Sequence, residues 1–403
     1  MNCSQPMSFI RRLACFFYGI ALSAFALTGD PTKVFILVGQ SNMQGHAHER
    51  TLGSMKGDPN TAWMLTQIRD RDGNRLEQNQ VWVSSLSSEG LKEGALGLGF
   101  GASEEKLGPE LAFGLSLHQS LGEPIVLIKA AWGGKSLHTD FRPPSAGVYQ
   151  LSQAQLDQMR QQGKDVEQEQ ALRAGQSGHY YREMMEHVQS TMKRLADNPP
   201  TQHHGRSYRI SGLVWFQGWN DMVDGAVYPE RGKKGGYDAY TNLLGQWIQD
   251  VRRDLGFPDL PIVIGVMGVG GPVSHYRQDQ LRYAGIHQSF RDAMAAVAQQ
   301  PAMQGSVAPV LTEQCWDIEL SQLRYRETQW RQQVREMAKK PTNQGTKPEI
   351  IEEALRQKMF TEAEWHQLKS GISNAEYHYL GSATIMSRIG MAFAKAMEGM
   401  LFK

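Results

Sequence analysis

The chain has 403 residues, 40% of them hydrophobic and 21% charged, with a formal net charge of +1 from 42 basic and 41 acidic side chains. That length holds one large domain or two ordinary ones, and the composition supports a substantial buried core. So even a charge balance argues against nucleic acid or an acidic polymer as partner and favours a small or neutral substrate.

The N-terminus reads differently from the rest. Arg11 and Arg12 precede an apolar run over 13–27, and Ala24-Phe25-Ala26 has the small-x-small pattern of a cleavage site. This is the pattern of a secretory signal peptide over 1–26, short for a membrane span of about 20 residues. The expectation is an exported protein, periplasmic or extracellular, with residues 27–403 as its mature domain and no stable membrane partner. Cys3 and Cys15 would leave with that segment, so Cys315 remains alone and reads as a small packed hydrophobe.

Short apolar runs then alternate with amphipathic stretches. Runs at 33–38, 124–129, 212–216, 261–266 and 307–311 are nearly continuous, the mark of strands buried on both faces of a parallel sheet. Helical periodicity fills 109–121, 180–197, 237–255, 282–300 and, at the end, 383–397. Alternating strands and helices predict an α/β fold, a three-layer α/β/α sandwich on a mostly parallel five-stranded sheet. One segment breaks the pattern. About 318–373 is charged and helical with no strand, and reads as an insertion with helices at 320–340, 348–359 and from a cap at Thr361.

In such sheets ligands bind beyond the carboxyl ends of the strands. Four loops there carry chemistry. Gly39-Gln40-Ser41-Asn42-Met43 follows the first strand and can present a hydroxyl, with a backbone N–H facing a developing oxyanion. Gly133-Gly134-Lys135-Ser136 ends like a phosphate-binding loop, but Lys129 stands where that motif needs its first Gly. The glycine pair instead lets backbone approach a ligand. Gln217-Gly218-Trp219-Asn220-Asp221 offers a side-chain amide and an aromatic face for a sugar ring. Finally, His378 lies just before the last helix, and Ser first with His last is a frequent order in α/β hydrolytic triads.

Together these four blocks resemble the SGNH (GDSL-like) hydrolases, and Gly-Gln-Ser-Asn-Met with Trp-Phe-Gln-Gly resembles their sialate O-acetylesterase and acetylxylan esterase branch. The resemblance runs over about residues 33–395, apart from the insertion. It implies a flavodoxin-like fold, no metal or other cofactor, and an acetylated carbohydrate as substrate. It also implies Ser41 as nucleophile and His378 as base, with the Ser41 and Gly134 N–H groups and the Asn220 amide as oxyanion hole. Gln40, Gly133, Gln217 and Trp219 are the expected substrate contacts.

The chain departs from the pattern in one place. The family's triad acid stands three residues before the His, and that position is Ala375. Asp317 and Glu376 are the leading replacements, Asp221 a third, and a water-supported dyad a fourth. Two other functions share the scaffold: a carbohydrate-binding protein with impaired catalysis, and an esterase of non-sugar esters.

Overall fold

The computed structural model describes residues 30–340 and 347–402; the signal-peptide reading of 1–26 lies outside them. Seven strands form the central sheet: β1 (Thr32–Gly39), β2 (Gln78–Ser87), β3 (Gly90–Leu96), β4 (Ile125–Ala131), β5 (Tyr208–Phe216), β6 (Ile262–Val266) and β7 (Val307–Leu311). Their order is β3-β2-β4-β1-β5-β6-β7. All neighbours are parallel except the edge hairpin β2–β3.

The five apolar runs are all strands. The sheet has seven rather than five because β2 and β3 lack a continuous apolar signature. Buried Ser84 in β2 is held by Glu93 at 2.7 Å and Thr191 at 3.2 Å, so polar pairing replaces hydrophobic burial there.

β1 is the centre of the sheet. It pairs with β4 on one side and β5 on the other, and the chain runs out to β2 and β3 before returning to β4. The strand order therefore reverses around β1, which makes its carboxyl end the natural ligand crevice. Helices cover both faces. Successive residues of β5 show this: Phe216 meets Phe393 of the last helix at 5.3 Å, whereas Trp215 meets Trp247 of the helix Asp238–Leu255 at 4.3 Å. Helices Pro109–Leu121 and Ala383–Leu401 cover the Phe216 face and pack on each other. No described helix is long and apolar enough to cross a membrane.

The helical insertion consists of Ile318–Ala338, Pro348–Met359 and Glu362–Gly371, the last capped by Thr361 in a capping box with Glu364. Trp330, Phe360 and Trp365 form its aromatic centre, with rings 5.2–5.3 Å apart. Arg50 ties it to the sheet domain by donating to the carbonyls of Lys369 and Ile372 at 2.5 and 2.6 Å.

At Gly390 the two packed helices are in direct contact. A Cβ there would collide with the Pro109 carbonyl and lie 2.9 Å from the Ala112 Cβ. Gly390→Val should therefore lower stability by about 1–3 kcal/mol, read as a lower urea midpoint. An unchanged midpoint would contradict this packing.

Candidate active site

Ser41 opens the short helix Ser41–Gln44 immediately beyond β1. As its first residue, Ser41 has an N–H with no partner inside that helix. The residue is mostly enclosed, at 9% exposure. The loop after β4 comes alongside: a Cβ built on Gly133 would lie 3.8 Å from that of Ser41. Gly134 next to it takes φ +73°, a left-handed conformation that glycine reaches without a steric penalty.

The loop after β5 is tied to the same turn through Gln40. Its amide oxygen accepts from the Gly218 N–H at 3.0 Å, and its Nε2 donates to Asn220 Oδ1 at 3.0 Å. The Gly218 N–H can only donate, so it fixes which way the Gln40 amide faces. Gln40 in turn holds Asn220 by its oxygen, leaving the Asn220 NH₂ to donate elsewhere. Gln40 is 1% exposed and Gln217 fully buried. Both were expected to contact substrate; both instead hold the site from behind. Gln217 donates to Asp221 at 2.6 Å and to the Lys135 carbonyl at 3.0 Å.

Asp221 is fully buried and accepts from four donors: Leu137 N–H at 2.8 Å, Gln217 at 2.6 Å, His138 N–H at 3.2 Å and the Tyr228 hydroxyl at 3.1 Å. Burial pushes its carboxyl upward, while His138 and these donors pull it back. It clamps the glycine loop to the β5 loop and has no contact with His378. On the other flank, fully buried Lys129 pairs with Glu110 at 2.6 Å and donates to the Gln44 carbonyl at 2.9 Å, pinning the chain just after Ser41.

His378 reaches this edge from the loop before the last helix. Asn42, next to Ser41, holds the residue next to His378 by donating to the Tyr377 carbonyl at 3.1 Å. His378 Nδ1 lies 3.1 Å from Asn374 Oδ1. The Ala375 N–H also donates to that oxygen, at 2.8 Å, so the oxygen and not the NH₂ faces the ring. An accepting oxygen puts the imidazole proton on Nδ1 and leaves the Nε2 lone pair free as base. The His46 ring stacks on the other side, 3.9 Å away and parallel within 1°. Burial, with Lys106 adding like charge, lowers His378 to about 4. Burial and the charge of His378 lower His46 to about 3.

Residues 31–303 match the model of the family described as carbohydrate esterase, sialic acid-specific acetylesterase. The chain belongs to that family. The matched span holds Ser41, Gly133, Gly134 and Asn220, and ends before the insertion and His378. No curated protein matches the chain. Among solved structures the chain is similar to a protein from Arabidopsis thaliana, 18% identical over 70% of this chain and 85% of that one, with a TM-score of 0.37. It is also similar to a carbohydrate acetylesterase from Xanthomonas citri, 13% identical with a TM-score of 0.38; the match covers 69% of this chain and 49%, about half, of that protein.

In this carbohydrate esterase the partner of His378 Nδ1 is none of the three carboxylates suggested by the sequence. Asp317 caps the helix Ile318–Ala338 by accepting from the Leu320 N–H at 2.9 Å. Glu376 lines a cavity toward Tyr276. Asn374 takes the place they were expected to fill, four residues before the His. Sequence reading missed it and His46 because a non-regular turn brings them together. The described residues with positive φ other than glycine are Tyr379 and Leu380, directly after His378. Residues held in such conformations cluster at functional sites.

A general base works only when neutral, so its rate contribution falls as pH drops through its pKa. The esterase's kcat/KM should stay flat from neutrality down to mildly acidic pH and fall with an apparent pKa of about 4. His46→Ala should admit water to the His378 ring and move that limb upward toward 6.5. A limb at the ordinary imidazole value in the unaltered enzyme would contradict the enclosed His378 imidazole.

Proposed function

We propose that this esterase removes O-acetyl groups from carbohydrates by two-step acyl transfer through Ser41. In the first step the Ser41 Oγ bonds to the acetyl carbonyl carbon and gives its proton to His378 Nε2. Negative charge gathers on the carbonyl oxygen, where the Ser41 N–H, a glycine N–H from the 133–134 loop and the Asn220 amide donate to it. The carbon–oxygen bond to the sugar breaks, and His378 returns the proton to the departing hydroxyl. Water then attacks the acetyl-serine, again giving a proton to His378, and acetate leaves as Ser41 regains its own.

The observation that carries this reading is the meeting of three loops at the carboxyl end of β1. Ser41 lies beside Gly133, Asn220 is held through Gln40, and the His378 loop is fastened to Asn42. Asn374 supports the tautomer the mechanism needs. The Arg pair and apolar run at 11–27 support export, with a mature chain beginning near Leu27; N-terminal sequencing of protein from the native host would show Met1 if export fails.

Ser41→Ala should reduce turnover of p-nitrophenyl acetate to the uncatalysed background while leaving the circular dichroism spectrum unchanged. Asn220→Ala removes one oxyanion donor and should cost about 100–1000-fold in kcat. Full activity in pure Ser41→Ala protein would end this mechanism.

A further inference from the structure

Beside the catalytic loops lies a cavity of about 610 Å³ whose walls come from three separate parts of the chain. Trp219 and Tyr377 form the near wall, their rings 5.7 Å apart. Each directly precedes a candidate site residue in the chain, Asn220 and His378. Tyr283, from the helix Leu281–Ala296, lies on a second side with its ring stacked on that of His287 at 5.9 Å. The third side belongs to the helical insertion. There Tyr325 carries the Arg277 guanidinium 4.1 Å above its ring.

An acetyl group is far too small to need this space. The walls are also unusual for a protein surface, since Tyr283 is 42% exposed and Tyr377 44%. Exposed aromatic rings gathered round one hollow mark a binding site. Between them stand Arg277, Arg282, Gln280 and Glu376, which supply hydrogen-bond donors and acceptors. Flat apolar faces alternating with polar groups suit a sugar, which has an apolar C–H face and a rim of hydroxyls. A lipid chain would find its apolar path interrupted by those charged groups.

We infer that this cavity is a subsite for the sugar residues beyond the acetylated one, and that the insertion completes it through Tyr325. The preferred substrate is then an acetylated oligosaccharide or polysaccharide rather than a free acetylated sugar. The inference rests on the acetylesterase reading above, and it gives the insertion a part in recognition.

The test uses the full chain with O-acetylated xylotetraose, cellotetraose and oligosialic acid, each beside its O-acetylated monosaccharide and p-nitrophenyl acetate. The oligosaccharide should be preferred over its monosaccharide by at least about tenfold in kcat/KM in one series. In that series Tyr325→Ala and Tyr283→Ala should each lower the ratio of oligosaccharide to p-nitrophenyl acetate activity by about tenfold, through KM. Direct titration of Ser41→Ala protein with the same oligosaccharides should show binding that Tyr325→Ala, added to it, weakens. No preference in any series, or ratios and binding unmoved by both tyrosine substitutions, overturns the subsite. If oligosaccharide binds and p-nitrophenyl acetate is not hydrolysed, the subsite stands and the esterase mechanism falls.

Discussion

The site depends first on one buried carboxylate. Asp221 takes no part in the proposed chemistry, yet it is the point at which two loops far apart in sequence are fastened together. Its two oxygens take up the N–H groups of Leu137 and His138 from the loop after β4, and Gln217 and Tyr228 from the chain after β5. A carboxylate removed from water is costly unless every lone pair finds a donor, and here the donors are those of the loops themselves. The cost of burial is thereby turned into rigidity. Gly133 and Gly134 have few conformational restraints of their own; the clamp behind them limits where their N–H groups can go. Gln40 repeats the device on the other side, binding the β1 turn to Asn220.

Around His378 the arrangement is different in kind. A carboxylate behind a catalytic histidine both fixes its tautomer and stabilises the imidazolium that forms. Asn374 can supply the first effect and not the second. An amide facing the ring with its NH₂ would lock the wrong tautomer; the Ala375 N–H prevents this by claiming the oxygen side. Burial, with the stacked His46 and with Lys106 nearby, holds the imidazole neutral well into the acidic range. Such a base is always ready to accept a proton and is weaker when it does. Folding feels the same groups. Both imidazoles bind protons less readily folded than unfolded, so stability falls as pH drops below about 6.5 and goes on falling toward 3.

Most of this was legible in the sequence wherever one side chain type dictates the outcome. Continuous apolar runs gave five strands, and helix 109–121 was bounded by Pro109 and Gly122 as its ends require. The insertion was visible from its charge, its lack of strand character and the Thr361 capping signal. The edge hairpin was hidden because Ser84 and Glu93 carry its burial by pairing, which no hydropathy pattern reveals. Gln40 and Gln217 stood in the right loops, but whether an amide faces substrate or core is settled by packing, and both face inward. The partner of His378 was the hardest to see. Its position depends on a turn through Tyr379 and Leu380, whose side chains give no warning of positive φ. Asp317 was a reasonable candidate by position, although an Asp just before a long helix is also the plain signal of a cap, which is the role it has.

The central claim is that an acetyl group passes through Ser41. It is tested most directly by quenching the enzyme in acid during turnover of p-nitrophenyl acetate and locating the acetyl group by peptide mass mapping. An acyl-enzyme route gives acetylation of the peptide containing Ser41, enriched in Asn220→Ala protein if deacylation is slowed more than acylation. An acetyl group found instead on Cys315 or His378, or turnover with no covalent acetyl at any stage even in rapid-quench samples, would contradict it.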